Sequence, residues 1–249
     1  MREKFSYFDF ICYFIPGAFL MWSIILFAKG FGILGSLATI NEITDTLGFI
    51  IIAFILGHFV QYKAKQKLEP NIKRKFWNGG FFSEQYLLKN NKFCSDTDRT
   101  KYLKMAKEKF GYTEEELKKL ENDSSEAKEL SHAIYRKAYS LINNEGIAER
   151  AATANIYYNF FRGLTTASFY SAILFFVQFI TKIIENLSSL SWEVIKKELS
   201  TSLFLAIFFL YLSGCFKDRA RQRGELHVEQ TFNSAYTFYI GGTKSGKQS

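Results

Sequence analysis

Residues 47–62 read LGFIIIAFILGHFVQY, sixteen positions without Asp, Glu, Lys or Arg, and residues 63–67, KAKQK, follow with three lysines. That step from an apolar run to a basic one decides the fold. About 16 residues of helix nearly cross the hydrocarbon core of a bilayer, and lysine placed directly after such a run stays on the cytoplasmic side. Three more apolar runs flank it: Phe8–Ala28 before, Leu164–Ile184 and Leu203–Phe216 after. Residues 63–162 hold 20 of the chain's 32 Lys and Arg. The two outer connections hold Lys29 in one and Lys182, Lys196 and Lys197 in the other. This is the charge pattern of four spans with both termini and the large insert in the cytoplasm.

The expected fold is therefore all-α, a polytopic membrane protein with a cytoplasmic helical insert. Its parts are spans one and two in residues 1–62, the insert in 63–162, spans three and four in 163–216, and a C-terminal helix with a disordered tail in 217–249. Aromatics make up 18% of the 249 residues, with 27 Phe and 14 Tyr. Phe is tolerated in lipid, and Tyr and Trp favour its interfaces. A transmembrane barrel would need many alternating ten-residue strands, which the sequence lacks. The first run is longer than a secretory h-region and has no small-residue cleavage site before Lys29, so it reads as a retained span.

The net charge is +8, but the insert contributes 20 bases against 14 acids, a mild excess with no continuous nucleic-acid tract. Positive flanks account for it through topology alone. Cys12, Cys94 and Cys215 show neither zinc spacing nor a disulfide framework, which suits a reducing compartment.

Within span one, Pro16 removes a backbone donor, so Pro16-Gly17 is a kink that serves as a hinge or as a packing detail. Lys63, Lys65 and Lys67 continue span two into solution as far as Pro70. Asn78-Gly79-Gly80 is a turn ringed by Trp77, Phe81 and Phe82. A helix covers Asp98–Phe110, and Thr113-Glu114-Glu115-Glu116 forms a capping box with Glu114–Lys118 and Glu115–Lys119 pairs beyond it. Ala127, Leu130, Ile134, Ala138 and Leu141 make the stripe of another helix. The last insert helix, from about Ile147, runs unbroken into span three. Val228, Phe232, Ala235 and Tyr239 give the C-terminal helix an apolar face that packs on the insert or lies on the membrane.

Several constellations bear on function. Ser168, Ser171 and Gln178 lie within about 80° on span three, so that face points inward, as pore lining or as glue between helices. His58 and Gln61, a turn apart at the cytoplasmic end of span two, are gate or hinge candidates with Pro16 and Gly17, and hydrogen bonding between helices serves equally. Asn155, Asn159 and Arg162, with Arg150 a turn earlier, could grip an anionic ligand, although arginine at the membrane boundary has a topological use as well. Gly241 to Lys247 mimics a Walker A spacing, but Gln248 stands where Ser or Thr is needed and no strand precedes it. His58, His132 and His227 are scattered. No metal ligand set, cofactor motif or catalytic triad is present in the sequence, so no enzyme activity is expected.

The layout, together with Phe8-Asp9-Phe10, Ile15-Pro16-Gly17-Ala18, Gly57-His58-Phe59-Val60-Gln61, Phe76-Trp77-Asn78-Gly79-Gly80-Phe81 and Tyr157-Tyr158-Asn159-Phe160-Phe161-Arg162-Gly163, resembles small bacterial four-span proteins of anti-phage defence loci. The nearest resemblance is to the membrane effector of Hailong-type systems. It implies a homo-oligomeric ion channel of the inner membrane, gated from the cytoplasm, with a nucleotidyltransferase partner and a nucleotide or oligonucleotide ligand. The alternative is a non-catalytic anchor that docks a cytoplasmic enzyme.

Overall fold

The computed structural model describes residues 7–31, 46–77, 79–186 and 192–245. Every regular element among them is a helix. In chain order these are α1 (Tyr7–Gly30, with a π-turn at Phe10–Phe14), α2 (Thr46–Lys63), a π-turn (Ala64–Leu68) and α3 (Glu69–Phe76). Then come α4 (Phe82–Gln85), α5 (Asp96–Phe110), α6 (Glu114–Lys118), a 3-10 turn (Lys119–Glu121) and α7 (Ser125–Asn144). The last two are long: α8 (Glu149–Asn186) and α9 (Trp192–Ser245). Residues 32–45, expected as an outer loop, lie outside the described residues, as do the side chains of Trp192, Val194 and Ile195.

Contacts divide the chain into two units: residues 1–69 with 156–220, and residues 70–155 with 221–249. Both α8 and α9 contribute one stretch to each.

Among the described residues three helices are long and apolar enough to cross a membrane, Tyr7–Gly30, Glu149–Glu185 and Thr201–Gly241, the last two lying only in part in the first unit. The stretch 47–62 forms most of α2, which packs antiparallel on α1, Phe14 meeting Phe54 and Tyr13 meeting His58. Small residues permit this. A side chain at Gly17 would collide with the Ala53 carbonyl, and one at Gly57 with the Tyr13 carbonyl, so the two backbones touch where no Cβ intervenes. Leu20, Val60 and Ala167 form one buried cluster of α1, α2 and α8. Ala172, Phe175, Ala206 and Phe209 form another between α8 and α9, with the Phe175 and Phe209 rings stacked 5.5 Å apart. Apolar side chains also face outward, among them Trp22, Ile55, Phe176, Phe204 and Ile207. An outward face this greasy fits a lipid surround.

The second unit is built by local rules. Ser95 caps α5 by accepting from the Asp98 amide at 3.1 Å, and Gly111, at φ 75°, ends it in the left-handed region. Thr113 and Glu116 form the expected capping box. Beyond it, the ion pairs made are Glu114 with Lys107 and Lys119 with Glu126. The reason is length: α6 is five residues long and tightens at once into a 3-10 turn, so the i,i+4 geometry does not extend. Ser124 caps α7, whose buried line is Ala127, Ser131, Ile134, Ala138 and Ile142, rotated slightly from the expected stripe. Tyr86, Tyr102 and Phe232 stack into the aromatic heart of the unit. Val228, Phe232 and Ala235 are buried, so the C-terminal stripe packs on the insert.

The helix expected from Asp98 begins at Asp96, and two expected helix C-termini are displaced further. The helical path continues past Pro70 to Phe76, because the π-turn leaves Pro70 in the first turn of α3, where its missing N–H costs little. The helix α9 continues through Gly241 to Ser245, into the stretch expected to be disordered.

Candidate functional site

Proline at position 16 shapes the end of α1. It has no N–H to offer the Cys12 carbonyl four residues back, and the chain ahead of it widens into a π-turn in which the Ile15 amide bonds to the Phe10 carbonyl. The Cys12 oxygen thus loses its usual i+4 donor. Gln61 of α2 meets it: its amide nitrogen donates to the Cys12 carbonyl at 2.7 Å and to the Asn159 carbonyl of α8 at 2.8 Å. One buried carboxamide thus fastens three helices.

The other end of that carboxamide leads to charge. Arg162 donates through Nη2 to Gln61 Oε1 at 3.3 Å and through Nη1 to Glu69 Oε2 at 2.7 Å. The two charged side chains are only 12% and 15% exposed, so this is a largely desolvated pair, and the guanidinium lies 5.4 Å from the Tyr158 ring. Gly163 gives the room: a Cβ there would stand 2.6 Å from Gln61 Nε2 and 2.9 Å from Pro16 Cγ. The Cys12 thiol donates to the Ile156 carbonyl at 3.4 Å.

Of the residues singled out in the sequence, Pro16, Gly17, Gln61, Asn159 and Arg162 therefore meet at one junction. His58 lies beside it, exposed, its ring stacked 4.2 Å from Tyr13. Arg150 and Asn155 belong to the other unit, where Arg150 lines a shallow groove with Thr153, Arg223 and Gln230. Ser171 donates to Ser23 of α1 at 2.7 Å, and Gln178 packs on the backbone of Gly30. Ser168 is fully buried, and its hydroxyl has no hydrogen-bond partner among the described residues. In the single chain Ser171 and Gln178 face α1, and Ser168 is buried. Glu69 was missed. In sequence it is the one acid between Asp45 and Glu84, set among lysines and arginines, and nothing in that pattern marks it as buried.

The histidines of the second unit have structural surroundings. Ser83 Oγ lies 2.8 Å from His132 Nδ1, but Ser83 is buried and a Phe81 ring stacks on the imidazole, so no substrate reaches the hydroxyl. Burial holds the His132 pKa below its ordinary value, outweighing the nearby Glu84 carboxylate. His227 Nδ1 donates to the Ala151 carbonyl at 2.8 Å, which leaves Nε2 to accept from the Tyr135 hydroxyl, also at 2.8 Å. Burial pushes the Cys94 thiol up to about 11, so it stays protonated and unreactive at neutral pH. Among the described residues no group of three His, Cys, Asp or Glu could hold a metal ion.

Comparison with protein-family models, curated proteins and solved structures gives no match to this chain.

Proposed function

We propose that the chain is an oligomeric, non-catalytic effector of a bacterial inner membrane, a channel gated from the cytoplasm that depolarises the membrane in anti-phage defence. In this reading α1, α2 and the apolar parts of α8 and α9 are four spans, with both termini and the insert cytoplasmic. At 18 residues α2 is about 27 Å long, close to the ~30 Å hydrocarbon core.

The observation that carries the reading is the continuity of α8 and α9, which each give an apolar stretch to one unit and a polar stretch to the other. A ligand that binds one conformation of the polar unit better than another biases the helices that pass into the bundle. Arg162 on α8 is tied to Gln61 and Glu69, so a shift of α8 makes or breaks a desolvated ion pair. The resemblance of its short motifs to those of Hailong-type effectors is what suggests a nucleotide or oligonucleotide ligand made by a nucleotidyltransferase partner.

Expression in bacterial cells carrying a potential-sensitive dye tests this. The channel reading expects depolarisation that depends on the nucleotidyltransferase partner; unchanged potential at full membrane expression, with and without the partner, counts against it. A second reading, a scaffold that docks a cytoplasmic enzyme, draws support from the intrachain contacts of Ser171 and Gln178. It expects a stable complex and no depolarisation.

A further inference from the structure

The outward face of α2 changes character along its length. Ile51, Ile55, Phe59 and Tyr62 recur at helical spacing and are 51%, 63%, 43% and 57% exposed, while Ala53, Val60, Gln61 and Ala64 on the opposite face are buried. At the end of this greasy stripe the Lys63 ammonium reaches back over two of its rings, 5.6 Å from the Phe59 centroid and 5.7 Å from that of Tyr62. Gln66 donates to the Tyr62 hydroxyl at 2.5 Å, and Lys67 stands exposed one turn beyond Lys63, within the π-turn.

We propose that this stripe binds one anionic phospholipid, its acyl chain along Ile51, Ile55 and Phe59 and its phosphate between Lys63 and Lys67. The inference rests on the membrane reading above. Tyrosine at the headgroup level and lysine stems lying on aromatic rings are the chemistry of a membrane–water interface. Two ammonium groups at the end of an apolar track complement a phosphate that follows an acyl chain. A zwitterionic lipid offers the same chain but no net negative charge, so the site discriminates by charge.

The test places the full-length protein in nanodiscs of equal phosphatidylglycerol and phosphatidylcholine and reads retained lipid by native mass spectrometry after mild release. The wild type should keep phosphatidylglycerol preferentially. The Lys63→Gln/Lys67→Gln variant should lose that preference by about fivefold for each lysine, and the Lys63→Arg/Lys67→Arg variant should keep most of it. Equal retention of the two lipids by the wild type, or undiminished preference in the glutamine variant, overturns the proposal. A lipid-free dimer also overturns it, since a second copy would then cover the stripe. Alkaline extraction from membranes separates the two readings: release of the protein sinks the membrane reading itself, whereas retention without lipid preference sinks only this site.

Discussion

Gln61 is held by a defect in its neighbour. Because Pro16 cannot donate to the Cys12 carbonyl, the Gln61 amide is that oxygen's source of a hydrogen bond from α2. Replacing Gln61 with Ala removes a buried hydrogen bond to that acceptor and another to the Asn159 carbonyl, and should destabilise the protein by about 1–3 kcal/mol. Pro16→Ala restores a backbone donor at that turn, so Gln61→Ala should cost less in its presence, with a coupling of about 1 kcal/mol in a double-mutant cycle. Additive effects in thermal unfolding of detergent-solubilised protein would show that the two positions act independently. The adjacent ion pair has a different signature. Arg162→Ala takes the guanidinium from a largely buried Glu69 carboxylate and should cost about 3 kcal/mol, whereas Arg162→Met with Glu69→Met removes both charges and should cost less than the single change. If the double variant is as unstable as the single one, the pair's worth lies elsewhere than in mutual neutralisation.

At the scale of elements, α7 carries a pH dependence. Burial lowers the His132 pKa in the folded protein, so the unfolded chain binds a proton more readily. The stabilisation is complete above the unfolded pKa of about 6.5 and is lost as the pH falls through that value toward the lower folded one. The melting temperature of the second unit should therefore drop between pH 7.5 and 5.5, and His132→Gln should lessen that slope, with buried His227 contributing the same sign. An identical slope in the variant would assign the acid sensitivity to other groups. Legibility in the sequence also varied by element. The capping box of α6 was readable because its rule is local: a side chain and an amide three residues away. The continuation past Pro70 was hidden, because a π-turn shifts where a proline falls in the ladder and no residue type announces it.

For the whole molecule, the all-helical fold and the apolar helices follow directly from hydropathy and from the near absence of turn residues in the long runs. Gln61 and Arg162 stood out because polar groups beside apolar runs need partners. Glu69 did not, since one acid in a basic stretch looks like ordinary surface, and only folding shows that it is buried. The face of Ser168, Ser171 and Gln178 was legible as inward. Polarity alone does not separate a pore from a neighbouring helix, and in the single chain Ser23 and Gly30 occupy that space. Conduction in an oligomer therefore requires either rearrangement of these contacts or a pore between protomers. Planar-bilayer recording of the purified full-length protein tests the central claim most directly. Discrete conductance steps, with open probability altered by Arg162→Ala, are the predicted result; a silent bilayer containing verified, folded protein, with and without nucleotide and oligonucleotide ligands, would contradict it.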